Sequence, residues 1–156
     1  MDDDVEITEL VDEAEPAILD MLTDLAVAEQ ERYDHPRESP DEIRARVRPA
    51  RRFTGENHLL IARDGAGSPL GLCWVVLFDP GTGLEGEVAE LFVRPDVRSA
   101  GIAGRLVAAA VELFRRRHVT FACVWTRGDN SAAMTVYKTA GFAPTEQAVL
   151  TWLPLD

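Results

Sequence analysis

A stretch of small residues between a strand-like run and a helix-like run is the feature that most constrains the fold of this sequence. The stretch is RSAGIAGR, Arg98 to Arg105, which follows LFVRPDV and precedes LVAAAVELF. Apolar residues at helical spacing predict a helix from about Gly101 to Arg117. The predicted apolar face of that helix consists of Ile102, Leu106, Ala109, Ala110 and Leu113. A strand that leads into an amphipathic helix is typical of folds in which helices cover a sheet.

The small residues at this helix start have two explanations, and the sequence leaves both open. Gly101 and its small neighbours would let a ligand approach the unpaired amides of the first turn. Those amides and the positive helix end form an anion site suited to phosphate, beside which Arg98 adds a forked cation. Alternatively, Gly101, Ala103 and Gly104 allow the helix to pack tightly on the sheet.

The rest of the chain alternates strand-like and helix-like segments. The predicted strands, in chain order, are VEITEL, HLLIARD, LGLCWVVLF, EVAELFV, VTFACVWT and AVLTWLPL. The turn-rich segment DGAGSP joins the second and third as a hairpin. The alternation predicts an α/β or α+β fold with a mixed sheet.

Three further helices are predicted from local signals. The first begins near Pro16, and its apolar stripe is Ile18, Met21, Leu22 and Leu25. The second begins at a capping box, Ser39-Pro40-Asp41-Glu42, and includes Ile43 and Val47. The last runs from Ser131 to Ala140 and is closed by Gly141.

Length, composition and charge limit the classes of protein that need to be considered. The 156 residues, 46% hydrophobic and 28% charged, suit one globular domain over residues 1–156. The first residues, MDDDVEITEL, have neither the basic nor the apolar region typical of a leader segment, and no apolar run is long enough to span a membrane. We therefore expect a cytoplasmic protein that does not contact membranes. The net charge of −11 repels a nucleic-acid backbone and favours a cationic partner such as an amine.

Neither the cysteines nor the histidines predict a site of their own. Cys73 and Cys123 lie in strand-like runs, where a free thiol acts as a small apolar filler, so no disulfide framework is expected. Cys123 as an acyl-accepting nucleophile would need a nearby base, and its setting, FACVW, favours a core position instead. The histidines at positions 35, 58 and 118 share no metal-ligand spacing, so no metal site is predicted.

A dinucleotide-binding site is the alternative interpretation of the small-residue stretch. The segment from Ser99 to Gly104 is similar to the fingerprint GxGxxG with its first glycine replaced, and Asp129 lies past the next strand, where a ribose-binding acid would be. However, RPDVR separates the strand from the fingerprint, which would normally follow at once. A P-loop is excluded because no Gly-Lys-Ser or Gly-Lys-Thr follows.

The segment from Glu87 to Phe142 resembles the GNAT superfamily of N-acetyltransferases at two motifs. LFVRPDVRSAGIAGRLV is similar to its acyl-coenzyme A signature, a strand ending in V-x-P followed by [RQ]-x-x-G-x-[GA]. GDNSAAMTVYKTAGF is similar to its second motif, N-x-x-A-x-x-x-Y-x-x-x-G-F, and the matched positions are Asn130, Ala133, Tyr137, Gly141 and Phe142. Ser99 and Ala100 depart from the family, which usually has a glycine and often a basic residue there.

The resemblance implies a fold and a mode of binding acetyl-coenzyme A. The implied fold is a twisted mixed sheet of six to seven strands with about four flanking helices, in which the fourth and fifth strands splay apart. The pantetheine arm would pair with the fourth strand, here Leu91, Phe92 and Val93. The pyrophosphate would lie on Arg98, Ser99, Ala100, Gly101, Ile102, Ala103 and Gly104. Asn130, Ala133 and Tyr137 would complete the cofactor site, although Asn130 is equally suited to capping the last helix.

The activity implied is acetyl transfer from acetyl-coenzyme A to an amine, without a metal. Glu90 is the predicted base because it lies in an otherwise apolar half-strand, where burial would strengthen it as a base; a solvent-facing position is the alternative. Glu87 is the reserve candidate, on the opposite face of a regular strand. Tyr137 is the predicted proton donor to the leaving thiolate, with aromatic packing as its alternative.

The same resemblance leaves the acceptor, the oligomeric state and turnover itself open. A homodimer is plausible by resemblance, and Trp125, Tyr33 and His35 are candidate borders of the acceptor pocket. A non-catalytic coenzyme A sensor or interaction module on the same fold is the alternative to an enzyme.

Overall fold

The computed structural model describes residues 8–30, 37–48, 55–81 and 83–150. The predicted strand at residues 5–10 lies partly outside these ranges, and its described residues 8–10 form no strand. Of the predicted strand at residues 148–155, only residues 148–150 are described, and they form no strand either. Tyr33 and His35 also lie outside the described residues. No described helix is long and apolar enough to cross a membrane.

The two N-terminal helices form a small apolar cluster of their own. Helix α1 spans Pro16–Gln30 and helix α2 spans Pro40–Arg46. The capping box of α2 is confirmed, because the Ser39 side chain accepts a hydrogen bond from the Glu42 amide and the Glu42 carboxylate accepts one from the Ser39 amide at 2.8 Å. The residues buried between the two helices are Leu19, Thr23, Ala26, Ile43 and Val47.

The predicted apolar stripe of α1 is wrong at Met21 and Leu25, whereas Leu22 packs against the buried cluster. Met21 and Leu25 are 66% and 53% exposed, whereas Leu19 and Ala26 are buried. Apolar residues lie on several sides of helix α1, so the spacing of its apolar residues does not define a single buried face. The contact with Ile43 and Val47 of α2 selects which of these sides is buried.

Four strands form one mixed sheet in the order β1-β2-β3-β4. Strand β1 is Glu56–Arg63, β2 is Pro69–Phe78, β3 is Glu85–Val93 and β4 is Phe121–Val124. The hairpin β1-β2 is confirmed, and its turn is held by the Asp64 carboxylate, which accepts hydrogen bonds from the Ala66 and Ser68 amides at 2.9 Å. Within the described ranges the sheet has four strands rather than the six to seven that were predicted.

Helix α3, Ile102–Arg116, packs across one face of the sheet and builds the main core. Its start and end agree with the prediction, but Ala109 is exposed, and Val107 and Phe114 are buried instead. Helix α4, Ser131–Thr139, lies beside α3. A short 3-10 helix, Pro95–Val97, connects β3 to the loop before α3. The buried residues of this core include Cys73, Val75, Val88, Leu106 and Tyr137.

Candidate active site

Strands β3 and β4 are parallel, and their pairing stops partway along β3. The paired positions run from Glu85↔Phe121 to Val88↔Val124, whereas β3 continues to Val93. From Ala89 onward, the side of β3 that faces β4 therefore has no β4 partner. The register confirms that these strands, the predicted fourth and fifth, are parallel and joined by α3, and it shows that their pairing ends at Val88 and Val124. The predicted pantetheine-binding residues Leu91, Phe92 and Val93 lie along the open part.

A β-bulge lies at the point where the pairing stops. On the other side of β3, Trp74 pairs with Glu90 but the next residue of β2, Val75, pairs with Val88, so Ala89 is the extra residue. The bulge reverses the alternation of side chains, and Glu87 and Glu90 consequently lie on the same face of the sheet. The expectation that Glu87 points to the opposite face is wrong because the strand is not regular.

Glu90 is on the solvent-facing side of the sheet, away from α3. It lies opposite Trp74, which is 39% exposed, while the flanking Val88 and Leu91 contribute to the core under α3. The burial expected for Glu90 is therefore wrong, since its side chain is exposed. Its candidacy as a base rests on its position at the bulge, beside the open edge of β3, and not on burial.

Tyr137 approaches the same region from the α3 side of the sheet. Its side chain is 7% exposed and belongs to the core cluster that contains Cys73. Burial raises the pKa of the Tyr137 phenol, and the charges of Cys73 and Glu90 act in the same direction. The phenol therefore keeps its proton at neutral pH, as a proton donor must.

The end of α4 fixes the Tyr137 ring. Gly141 has φ 101°, and the amides of Gly141 and Phe142 donate to the carbonyls of Lys138 and Tyr137, both at 3.0 Å. This is a Schellman motif, in which the residue after the glycine packs on the helix. The Phe142 and Tyr137 rings meet edge to face with centroids 5.8 Å apart. The Gly-Phe pair four residues after the tyrosine thus has a local structural reason.

The N-terminus of α3 presents an open surface of backbone amides. Gly101 is the N-cap residue with φ 76°, and a Cβ atom at Gly101 or Gly104 would meet nothing within 4 Å. The first-turn amides belong to Ile102, Ala103 and Gly104, which is the arrangement that accommodates an anion. The open space above both glycines argues against the alternative that tight packing on the sheet requires them. The Ile102 side chain is buried, so its contribution to a ligand would come from the backbone.

Arg98 and Ser99 shape the loop in front of these amides. The Arg98 Nε donates to the Val93 carbonyl at 3.2 Å, which ties the guanidinium to the end of β3. Ser99 has φ 70°, a left-handed conformation that favours glycine. The glycine usual in the resembled family at this position is thus explained by backbone geometry, and this chain adopts the same geometry with a serine. Ala100 is exposed beside it.

Asn130 caps α4. Its Oδ1 accepts a hydrogen bond from the Ala133 amide at 3.2 Å. The capping role weighed from the sequence is therefore present, and the side-chain amide nitrogen is still a donor. Asp129, the acid considered for a dinucleotide ribose, instead receives hydrogen bonds from Arg127 at 3.1 and 2.8 Å.

A cavity of about 630 Å³ lies along β4 on the side of α4 and the following segment. Its lining includes Cys123, Trp125, Met134, Tyr137 and Gln147, and no residue of β3. Trp125 therefore borders a cavity next to the candidate proton donor. Burial raises the pKa of the Cys123 thiol, and the charge of Glu87 raises it further, which agrees with an unreactive thiol.

Sequence reasoning missed the tryptophan that faces Glu90. Trp74 lies in the predicted third strand, but the sequence does not show which residue of the neighbouring strand pairs with it. The alternation in GLCWVVLF places Trp74 and Cys73 on opposite faces and was the available signal. The register of β2 against β3, including the bulge, was needed to place it beside Glu90.

The chain resembles known proteins in both sequence and structure. The model of the Acetyltransferase (GNAT) family matches residues 19–142. A mycothiol acetyltransferase of Propionibacterium freudenreichii is 32% identical over 99 residues, which is 64% of this chain and 32% of that protein. An uncharacterized N-acetyltransferase of Methanocaldococcus jannaschii is 36% identical over 67 residues, which is 43% of this chain and 29% of that protein. The matches thus span about a third of the length of these curated relatives.

Solved structures with the same fold extend over nearly the whole chain. A probable acetyltransferase has a TM-score of 0.53 at 22% identity, covering 92% of this chain and 95% of the other. An aminoglycoside acetyltransferase from an uncultured soil metagenomic sample, solved in complex with sisomicin, has a TM-score of 0.56 at 13% identity, covering 90% and 88%. At these identities the structures establish a shared fold.

Proposed function

The chain belongs to the GNAT acetyltransferase family, and from this premise we propose that it transfers an acetyl group from acetyl-coenzyme A to a primary amine. The observation that carries the proposal is the open edge of β3 beyond Val88, which lies between Glu90 on one face and Tyr137 on the other. An edge of unpaired backbone groups is suited to a peptide-like ligand, because both partners gain hydrogen bonds.

The residues around this edge fit the parts of acetyl-coenzyme A. Backbone groups of Leu91, Phe92 and Val93 would pair with the amide groups of the pantetheine arm. The amides from Arg98 to Gly104 would receive the pyrophosphate, since a Cβ-free surface at Gly101 and Gly104 permits close approach. Asn130 would donate its side-chain amide to the arm, and Ala133 would border it without adding bulk.

The chemistry requires a base and an acid on opposite sides of the thioester. The acceptor nitrogen forms a bond to the acetyl carbon while the carbon–sulfur bond breaks, and the electron pair of that bond goes to sulfur. Glu90 would accept the proton that the amine loses, directly or through water. Tyr137 would donate a proton to the departing thiolate and regain one from solvent, for which its raised pKa keeps it protonated.

The names of similar proteins agree with an amine acceptor and do not define it. The relatives include mycothiol acetyltransferases, and a structural neighbour is an aminoglycoside acetyltransferase. The two names describe different proteins, so the proposal here is limited to a primary amine. A cytoplasmic location, a homodimer and a preference for acetyl over other acyl groups stay predictions.

The test is release of free thiol from acetyl-coenzyme A across a panel of amines. Coenzyme A binding is measured in parallel by calorimetry. Transfer to at least one amine, with acetylated product identified by mass, would support the proposal. Binding of coenzyme A without transfer to any amine would instead indicate a coenzyme A sensor or interaction module. Binding of a nicotinamide dinucleotide but not coenzyme A would favour the alternative dinucleotide site.

A further inference from the structure

The sheet face opposite α3 carries apolar side chains next to a row of carboxylates. Cross-strand partners share a face of the sheet, and here Trp74 lies opposite Glu90 while Val76 lies opposite Glu87. On the other side of Trp74, Leu59 of β1 is its direct partner and is 52% exposed. An exposed apolar surface thus borders the candidate base on the solvent-facing side of the sheet.

The Trp74 ring is held in place and still exposed. Its Nε1 donates to the Asn57 Oδ1 at 2.8 Å, and Asn57 lies two residues before Leu59 on β1. A tryptophan fixed by its own N–H needs little further ordering when a ligand binds, because its orientation is already set. Indole is also the best aromatic partner for an alkylammonium cation.

The bulge sets the spacing of the two carboxylates. Glu90 and Glu87 lie opposite Trp74 and Val76, which are two residues apart on β2, a separation of about 7 Å along the strand. A regular strand would have placed the two carboxylates on opposite faces. Two ammonium groups joined by a short hydrocarbon chain match this separation, with the hydrocarbon against Trp74 and Val76.

We propose that Trp74 determines acceptor specificity and that the acceptor is an aliphatic diamine. The inference rests on the proposed acetyl transfer: one nitrogen lies at Glu90 and is acetylated, and the other remains charged near Glu87. The Trp74 ring covers the hydrocarbon chain and attracts the charged end. Trp74 acts in binding, whereas the proton transfers belong to Glu90 and Tyr137.

The first experiment compares 1,4-diaminobutane with 1-aminobutane as acceptors for the parent protein and Trp74→Leu. The parent protein should have at least a tenfold higher kcat/KM for the diamine. Trp74→Leu keeps apolar bulk but removes the aromatic face, so the KM for the diamine should rise about three- to thirtyfold with little change in kcat. The loss of kcat/KM in Trp74→Leu should be at least threefold larger for the diamine than for the monoamine. Trp74→Phe keeps an aromatic face and should retain part of the kcat/KM for the diamine that Trp74→Leu loses.

Ile61→Ala is the matched control, since Ile61 is a half-exposed apolar residue of the same sheet face and lies outside the proposed site. It should leave the diamine preference unchanged. No diamine preference in the parent protein, or equal losses for both amines in Trp74→Leu, would overturn the inference while leaving acetyl transfer intact.

A binding measurement separates the inference from the reaction. Calorimetric titration with 1,4-diaminobutane needs no turnover, so it applies even if no acetyl transfer is observed. Weaker binding to Trp74→Leu than to the parent protein would support the role of Trp74. Absence of diamine binding to the parent protein, or equal binding to both, would overturn it.

Discussion

Ser99→Gly should stabilise the protein, because Ser99 has φ 70° in the loop before α3. The left-handed conformation costs a non-glycine residue about 1–2 kcal/mol, whereas glycine loses about 0.5–1 kcal/mol more conformational entropy on folding. The net gain should be about 0.5–1 kcal/mol. For a domain of this size, that corresponds to a rise in Tm of about 1–4 °C. Thermal unfolding monitored by circular dichroism measures the change.

Two variants serve as controls, one expected to raise the free energy of unfolding and the other expected to lower it. His118 follows the end of α3 with φ 55°, in a Schellman motif whose Val119 amide donates to the Phe114 carbonyl at 3.0 Å, so His118→Gly should stabilise by a similar amount. Ala100 does not have a positive φ, so Ala100→Gly should destabilise by about 0.5–1 kcal/mol. A lower Tm for Ser99→Gly, or equal effects of the glycines at positions 99 and 100, would refute the reasoning.

Ser99→Gly also tests the proposed phosphate site at the start of α3. Removing the Cβ at this position leaves the backbone amides in place, so coenzyme A affinity should hold within about twofold or increase. His118 lies at the other end of α3, about 22 Å away along a helix of 15 residues, and its replacement should not alter binding. A loss of affinity confined to Ser99→Gly would mean that the serine hydroxyl contacts the ligand.

Three further predictions concern the acid, the base and a surface ion pair. Tyr137→Phe keeps the ring that packs on Phe142 but removes the proton donor, so kcat should fall about a hundredfold with coenzyme A affinity unchanged; unchanged kcat would exclude the donor role. Glu90→Gln should reduce the rate most at low pH and recover as free amine becomes available, so a pH-independent loss in the rate profile would contradict the base role. Hydrogen bonds from Arg117 lower the pKa of Glu56 to about 2, with a smaller contribution from His58. The ionised Glu56 carboxylate therefore stabilises the protein above its ordinary pKa of 4.5, and this stabilisation is lost as the pH falls toward 2. The difference in free energy of unfolding between the parent protein and Glu56→Gln, measured by urea unfolding, should shrink over that range. A difference that stays constant with pH would contradict the prediction.

The sequence by itself determined the features that depend on neighbouring residues. The capping box at Ser39 and the closure of α4 at Gly141 follow from hydrogen bonds within a few residues of each other, and the start of α3 follows from the backbone conformation of Gly101. The hairpin of β1 and β2 is local for the same reason. The two motifs around Arg98 and Tyr137 were therefore sufficient to identify the family.

The tertiary structure alone decided the features that depend on pairing between distant segments. The bulge at Ala89 arises in the register of β3 against β2, and it moves Glu87 to the face of Glu90 and leaves Glu90 exposed beside Trp74. The point at which β4 leaves β3 is likewise a property of two strands separated by a helix. The buried side of α1 depends on α2. A one-residue change in register reverses every side chain of a strand, so no local pattern in the sequence contains this information.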